Sequence, residues 1–206
     1  MRLGLVARLA RPGGNATGYN LSVSEIPTKR LELLHALVPK AVRIAMLVNP
    51  ENVPVAAGTL HDVPEAARAI GLQMQILNAS TKDEIEAAFD TLVRDQIDAL
   101  FVASDTYFVS QRDQLVTLTA RYRIPAAYGT REDVEAGGLM SYGADNQEMW
   151  HQVGIYTGQI LKGAKPADLP VLQTTKFEFL INLRTAKALG IEVPSSILLL
   201  ADEVIE

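Results

Sequence analysis

The sequence predicts an α/β fold: an open parallel sheet with helices on both faces, in three layers. Between residues 40 and 143, short apolar segments alternate with longer amphipathic ones. The apolar segments begin about 15–30 residues apart, which leaves room for one crossover helix between successive parallel strands. Right-handed crossovers distribute such helices over both faces of the sheet.

The predicted strands are short apolar runs that stop at polar or glycine residues. They cover residues 42–48, 72–77, 98–103, 124–128, 139–143 and, after a gap, 176–182. Residues 72–77 alternate apolar and polar side chains, which indicates a half-exposed strand. The other runs have the length and composition of strands buried on both faces.

The predicted helices show apolar periodicity and end signals. They cover residues 25–38, 54–70, 81–94, 108–122, 131–136, 146–162 and 185–190. Gly71 stands in a C-cap position, and Ser80 or Thr81 precedes a helix in which Glu84 completes a capping box. Residues 3–10 are also interpreted as a helix, because their apolar run is too short for the core of a signal peptide.

Composition excludes several classes of protein. The chain has 206 residues, of which 48% are apolar and 21% charged, as in a globular protein of one or two domains. Its net charge is −5 and its basic residues are scattered, so nucleic acid is not an expected partner. No apolar run approaches the roughly 20 residues that a membrane-spanning helix needs.

Residues suited to catalysis or metal binding are scarce. The chain has no cysteine, which removes disulfides, thiolate ligands and cysteine nucleophiles. His35, His61 and His151 fall in separate predicted helices without metal-ligand spacing, and no Gly-x-Ser-x-Gly nucleophile elbow occurs. We therefore expect no catalytic residues, no metal and no cofactor.

Polar residues that follow the predicted strands form the candidate site. Ligands of open parallel sheets bind beyond the carboxyl ends of the strands, where amides, hydroxyls and carboxylates collect in this chain. We predict ligand-binding roles for Asn49, Ser104, Asp105, Tyr128 and Asp145. Asp105 would pair with a ligand ammonium group, and Tyr128 would stack on an aromatic side chain.

Three of these residues also have a structural interpretation. Asn49 could form the turn before Pro50, and Asp105 could cap the helix that follows it. Tyr128 could be an ordinary, partly buried tyrosine. The sequence leaves these alternatives open.

Several segments together resemble a known family. They cover residues 4–18, 29–34, 48–50, 137–143, 161–170, 176–178 and 201–205, beginning with the run that contains Arg11-Pro12-Gly13-Gly14-Asn15. The combination resembles the ABC-transporter substrate-binding family that is related to tryptophan/tyrosine-type periplasmic binding proteins. The resemblance extends over nearly the full chain.

The resemblance implies a fold, a function and a location. It implies a type I periplasmic-binding fold, in which two α/β lobes joined by three crossover strands bind a small molecule in the cleft between them. Such proteins are exported to the periplasm or anchored as lipoproteins, and they deliver a ligand, often an aromatic amino acid, to an ABC permease. The expected function is thus that of a solute-binding component rather than an enzyme.

The resemblance also implies a division of the chain. Residues 1–24 would be the remnant of a first lobe with its hinge, 25–143 the second lobe, 144–173 a crossover helix and linker of the first lobe, and 174–206 the return to the second lobe. A chain lacking most of its first lobe should either dimerise or expose apolar surface. That surface would surround Leu5, Leu9, Trp150, Ile155 and Ile160.

Two other functions fit the same fold class. One is a sensor or effector-binding domain of a regulator or receptor, beside which a helix-turn-helix segment or a membrane anchor is expected. The other is a small α/β enzyme, which the lack of histidine and cysteine at the strand ends disfavours.

Overall fold

The structure is a computed structural model that describes residues 5–21 and 25–206. The chain divides into two compact units. Unit 1 comprises Met1–Val23 and Ala144–Phe177, and unit 2 comprises Ser24–Gly143 and Glu178–Glu206.

The described residues form strands and helices with the following bounds. The strands are β1 (Tyr19–Asn20), β2 (Arg43–Val48), β3 (Gln73–Asn78), β4 (Ala99–Val102), β5 (Ala126–Tyr128), β6 (Met140–Ala144), β7 (Leu172–Gln173), β8 (Phe177–Asn182) and β9 (Glu203–Ile205). The helices are α1 (Glu25–Leu37), α2 (Val53–Ala69), α3 (Lys82–Arg94), α4 (Thr106–Ser110), α5 (Arg112–Tyr122), α6 (Arg131–Glu135), α7 (Asn146–Leu161), α8 (Leu183–Leu189) and α9 (Ser195–Leu198).

The main sheet has the strand order β3-β2-β4-β5-β6-β8-β9. The pairs β2–β3, β2–β4, β4–β5, β5–β6 and β8–β9 are parallel. Ile44 lies opposite Ala99 in β4, and Phe101 of that strand lies opposite Ala127. The predicted parallel α/β sheet is thus confirmed.

Two hydrophobic cores lie on opposite faces of this sheet. Ile44 and Met46 of β2 join the core that also contains buried residues of α1, α2, α8 and α9. Ala45 and Leu47 of the same strand join the core formed with α3, α4 and α5. Because successive side chains of a strand point to opposite faces, this alternation places helices on both sides of the sheet, as predicted.

Local signals explain where several helices begin. Thr81 accepts a hydrogen bond from the Glu84 amide at 3.2 Å, and the Glu84 carboxylate accepts one from the Thr81 amide. The predicted capping box is therefore present at the start of α3. The predicted helix 108–122, however, is two helices, α4 and α5, which meet at Gln111.

The predicted helix over residues 3–10 is wrong where the structure describes it. Residues 5–10 are not helical, and residues 3 and 4 lie outside the described residues. The Ala7 amide donates to the Pro12 carbonyl at 3.0 Å, and the Leu9 carbonyl accepts from Val171 at 2.7 Å. The segment is so short that such contacts outweigh the weak tendency of a few residues to form a helix.

Unit 1 contains little buried surface of its own. Its strands β1 and β7 form a two-stranded parallel sheet, and no residue of α7 is buried. Leu5 and Trp150 are 73% and 68% exposed, and Ile155 and Ile160 are also exposed, whereas Leu9 is half-buried. The predicted apolar exposure is thus confirmed for four of the five side chains. Among the described residues, no helix has the length and apolarity needed to span a membrane.

Candidate functional site

The carboxyl ends of β2 and β4 place four polar residues beside one another in unit 2. Asn49 follows β2, Asn52 lies just before α2, and Ser104 and Asp105 follow β4. Adjacent parallel strands end at the same edge of a sheet, which is why residues more than 50 positions apart in sequence meet here. We call these four residues the polar edge.

Asp105 is the centre of the polar edge. Its Oδ1 accepts hydrogen bonds from Asn49 Nδ2 and from the Tyr107 amide, each at 2.9 Å, and its Oδ2 accepts one from Asn52 Nδ2 at 2.7 Å. Asp105 as a whole is 8% exposed. Asp105 therefore caps α4, and both of its oxygens already have partners within the fold.

Asn49 has the turn-forming role considered from the sequence, and it also contacts Asp105. Its Oδ1 accepts a hydrogen bond from the Glu51 amide at 3.1 Å, which is the turn-forming contact, and its Nδ2 holds Asp105. Asn49 is half-buried, so part of its amide reaches the surface of unit 2. Asn52, which the sequence interpretation did not select, holds the other oxygen of Asp105.

Tyr128 does not lie at the polar edge, and the predicted stacking role is wrong for this structure. The side chain is 1% exposed, and its hydroxyl is 3.0 Å from Thr119 Oγ1 in α5. Burial raises the pKa of the phenol. A Cβ atom at Gly138 would lie 2.7 Å from the ring, so the ring fills space that a glycine leaves open. The reason is the three-residue strand β5, which is buried on both faces.

Asp145 lies in unit 1, separate from the unit that holds the polar edge. Its carboxylate accepts a hydrogen bond from the Glu148 amide at 3.0 Å and caps α7. The structure therefore brings Asn49, Ser104 and Asp105 together in unit 2 and assigns Asp145 a capping contact in unit 1. A ligand-binding role for these residues stays a prediction.

Arg30 is a buried residue of this region that the sequence interpretation missed. It is 1% exposed, and its guanidinium donates to the Tyr142 carbonyl (2.8 Å), the Val102 carbonyl (3.2 Å) and Ser104 Oγ (3.0 Å). One signal was present in the sequence. Arg30 occupies the apolar stripe of α1, four residues after Ile26 and four before Leu34, where an outward-facing arginine is not expected.

The guanidinium of Arg30 remains charged at neutral pH. Burial lowers its pKa to about 10, and the nearby Asp133 carboxyl partly opposes that shift. The guanidinium also lies over the ring of Phe101, 5.3 Å from the centroid. No ion pair of Arg30 is found within the described ranges 5–21 and 25–206, so carbonyl oxygens, a hydroxyl and an aromatic face stabilise this charge.

A small cavity of about 40 Å³ opens beside the polar edge. Ser104, Asp105, Gly129, Thr130 and Asp133 are among its lining residues. It has room for only a few water molecules, so this cavity does not by itself enclose a ligand of amino-acid size. Burial raises the pKa of Asp133, whose Oδ2 accepts hydrogen bonds from the hydroxyl and the amide of Thr130.

We expect opposite pH effects on stability from two carboxyl groups. The pKa of Asp133 is raised on folding. Its contribution to the free energy of unfolding is therefore complete at low pH and is lost as pH rises from about 4. The pKa of Glu84 is lowered by its hydrogen bonds to Ser80 and Thr81, so its contribution is present at neutral pH and is lost on acidification. Urea denaturation between pH 4 and pH 7 should show that the free energy of unfolding of Asp133→Asn increases relative to that of the wild type as pH rises.

The matched variant is Glu84→Gln. Its free energy of unfolding should instead decrease relative to that of the wild type as pH rises over the same interval. Parallel pH profiles of the two variants would contradict the assignment of opposite shifts. Both replacements keep a side-chain oxygen that can accept the capping hydrogen bond, so the comparison isolates the charge.

Groups suited to metal binding do not converge in the part of the chain that the structure describes. His35, His61 and His151 lie in α1, α2 and α7, as the sequence predicts. No group of three or more histidine or acidic side chains has metal-binding geometry among these residues. The polar edge consists of two amides and a hydroxyl beside the Asp105 carboxylate.

Comparison with known proteins supports a specific family. The family model for ABC transporter substrate binding proteins matches residues 1–205. A tyrosine-binding protein of Clostridioides difficile (strain R20291) is 31% identical over 193 residues, which are 92% of this chain and 54% of the relative. The chain thus spans about half the length of this curated relative.

Solved structures of longer proteins share the fold. An ABC domain from Streptococcus pneumonia in complex with L-Trp superposes with a TM-score of 0.85 at 29% identity, over 100% of this chain and 70% of that one. The ligand-free, open structure of a substrate binding protein with adhesive properties from Clostridium difficile gives a TM-score of 0.65 at 28% identity, over 94% of this chain and 64% of that one.

The family match extends over nearly every residue and agrees with the parallel α/β sheet and with the polar residues at its carboxyl edge. Members of this family are classed as binding proteins, not as enzymes. The chain belongs to the family of ABC transporter substrate-binding proteins.

Proposed function

We propose that this chain binds a small solute for an ABC importer and that the solute is an amino acid, with aromatic amino acids as the first candidates. The observation that carries the proposal is the polar edge of unit 2. It presents an exposed serine hydroxyl and a half-buried asparagine amide around a carboxylate whose two oxygens already accept hydrogen bonds within the fold. Such a set is suited to recognition by hydrogen bonds.

The family and the two named ligands of relatives support the choice of solute. One relative is a tyrosine-binding protein and another was solved with L-Trp. Both match this chain at about 30% identity over most of its length. In this proposal Asn49 and Asp105 receive the ammonium end of the ligand, with Asn52 fixing the carboxylate of Asp105.

Calorimetric titration tests the solute. The purified protein should bind L-tyrosine or L-tryptophan and should give no signal with D-ribose, a polar solute of similar size without an ammonium or a carboxylate. The absence of binding to any proteinogenic amino acid would overturn the proposal.

A variant of the polar edge localises the binding. Asn49→Ala removes one partner of Asp105 and should weaken the binding of the amino acid by roughly 5- to 30-fold, as expected for one or two lost hydrogen bonds. Asn78→Ala is the matched control, because Asn78 also ends a strand but is exposed and lies at β3. Equal losses in the two variants would place the ligand elsewhere.

The partners and the location follow from the same proposal. An ABC permease would receive the solute, and the protein would be periplasmic or anchored to the membrane as a lipoprotein. The two units would be parts of the two lobes expected from the resemblance. The exposed apolar side chains of unit 1, including Trp150 and Leu161, would then be covered by further protein or by a second copy of the chain.

Sedimentation tests whether a second copy of the chain covers these apolar side chains. A homodimer formed through unit 1 should dissociate when Trp150, which is 68% exposed, is replaced by glutamate. Val42→Glu, at a half-exposed apolar residue of unit 2, is the control and should leave the dimer intact. A wild-type chain that sediments as a monomer over the whole concentration range would exclude the dimer.

A further inference from the structure

The hydroxyl of Ser104 accepts a hydrogen bond within the fold and keeps its own proton to donate. Its oxygen accepts a hydrogen bond from Arg30 Nη2 at 3.0 Å. A guanidinium has five N–H donors and no acceptor, so the proton of Ser104 must point to another group. No acceptor for it is found among the described residues, and Ser104 is exposed. The hydroxyl is therefore an available donor at the surface of unit 2.

The guanidinium behind this hydroxyl is held rigidly. Nε donates to the Tyr142 carbonyl at 2.8 Å and Nη1 donates to the Val102 carbonyl at 3.2 Å. These contacts reach from α1 to β4 and β6, so the position of the third nitrogen, and of Ser104 Oγ, is set by two strands. A hydroxyl that accepts from a cation is polarised and becomes a better donor.

Gly129 keeps the space around this pair open. A Cβ atom there would lie 2.6 Å from Ser104 Oγ and 3.3 Å from Arg30 Nη2. Any larger residue would therefore displace the hydroxyl from the guanidinium. The contact depends on a glycine at the end of β5, which is a second, independent feature of the same arrangement.

Charge decides which ligand group fits. Arg30 is a buried cation that forms no salt bridge among the described residues, although Asp133 lies near enough to act on its pKa. Ser104 Oγ thus lies one hydrogen bond away from a positive charge, which favours an anionic acceptor over a neutral one.

We propose that Ser104 donates a hydrogen bond to the carboxylate of the bound amino acid and that Arg30 is a positioning residue that orients and polarises this hydroxyl. The inference rests on the proposed function and adds a carboxylate subsite to it. Arg30 itself does not touch the ligand, because its nitrogens face Tyr142, Val102 and Ser104.

The test compares an amino acid with its amide. Titrations use L-tyrosine against L-tyrosinamide and L-tryptophan against L-tryptophanamide, since the amide lacks the negative charge and is otherwise nearly isosteric. The wild type should prefer the acid. Ser104→Ala should lose roughly ten-fold or more in affinity for the acid and little for the amide. Ser196→Ala, at an exposed serine at the start of α9, should leave both affinities unchanged.

Arg30→Lys tests the positioning role. Lysine keeps the charge, but its single ammonium group cannot donate to all three acceptors of the planar guanidinium. The ratio of the affinities for the acid and the amide should therefore fall. The double variant Arg30→Lys/Ser104→Ala should lose no more discrimination than Ser104→Ala alone. A purely structural role for Arg30 would weaken the acid and the amide alike.

Two outcomes separate the proposed function from this inference. A wild type that binds neither acid nor amide overturns the proposed function and this inference with it. A wild type that binds the acid but keeps its preference in Ser104→Ala overturns the carboxylate subsite alone. Should Arg30→Lys fail to fold, Ser104→Ala still decides the subsite, and additive losses in a folded double variant would overturn the positioning role.

Discussion

Replacing Gly143 with alanine is expected to disrupt the sheet of unit 2. A Cβ atom at this position would overlap the Gly129 carbonyl oxygen and lie 3.0 Å from its carbon, both of which are backbone atoms. A flexible side chain could move aside, but the backbone after β5 is held by the neighbouring strands. We expect the variant to lose on the order of 3–5 kcal/mol of unfolding free energy, or not to fold.

Gly58→Ala is the matched control for this prediction. Gly58 lies inside α2 in the same unit, and no atom lies within 4 Å of its added Cβ. Alanine in a helix interior should stabilise the protein by about 0.5–1 kcal/mol relative to glycine. Urea denaturation followed by circular dichroism measures both variants. A Gly143→Ala midpoint equal to that of the wild type would show that the two strands are further apart than the structure has them.

Asp105→Ala is expected to cost about 2–4 kcal/mol of stability and to abolish ligand binding. The change removes the cap of α4 and leaves the amide nitrogens of Asn49 and Asn52 without their carboxylate acceptor. Hydrogen bonds to a charged group contribute more than neutral ones, and a helix cap adds its own share. Because the polar edge is built around this one carboxylate, its loss should also release Asn49 from the position in which we propose it meets the ligand.

Thr81→Ala separates the cap from the rest of the site. It removes the side-chain cap of α3 in the same unit, and neither Thr81 nor its partner Glu84 belongs to the polar edge. We expect about 1 kcal/mol of destabilisation and unchanged affinity for the amino acid. Denaturation and calorimetric titration of the two variants give the comparison. Asp105→Ala with the small stability loss of Thr81→Ala and native affinity would contradict the central role of Asp105.

Most of the fold could be predicted because its signals are local. The strands of the sheet from β2 to β6 and β8 stand out as short apolar runs, and the capping box at Thr81 and Glu84 marks a helix start within four residues. The elements that prediction missed, β1, β7, α9 and β9, have two to four residues each, too few to show a period.

The candidate site was only partly predictable. Asn49, Ser104 and Asp105 were found because a parallel sheet gathers the residues that follow its strands. Arg30 was missed because it precedes every strand of the main sheet and reaches carbonyls 72 and 112 residues further along the chain. No pattern of neighbours in the sequence records such a contact.

Local patterns in the chain were enough to assign the class of fold, the family and the edge of the sheet at which a ligand is expected, because periodicity, strand ends and family segments are properties of neighbouring residues. Which polar side chains are buried, and which groups they contact, became known from the three-dimensional arrangement. It placed Tyr128 in the core against Thr119, and it placed the guanidinium of Arg30 behind Ser104. Burial and hydrogen-bond partners depend on strands that folding brings side by side, and no single segment of the sequence encodes that proximity.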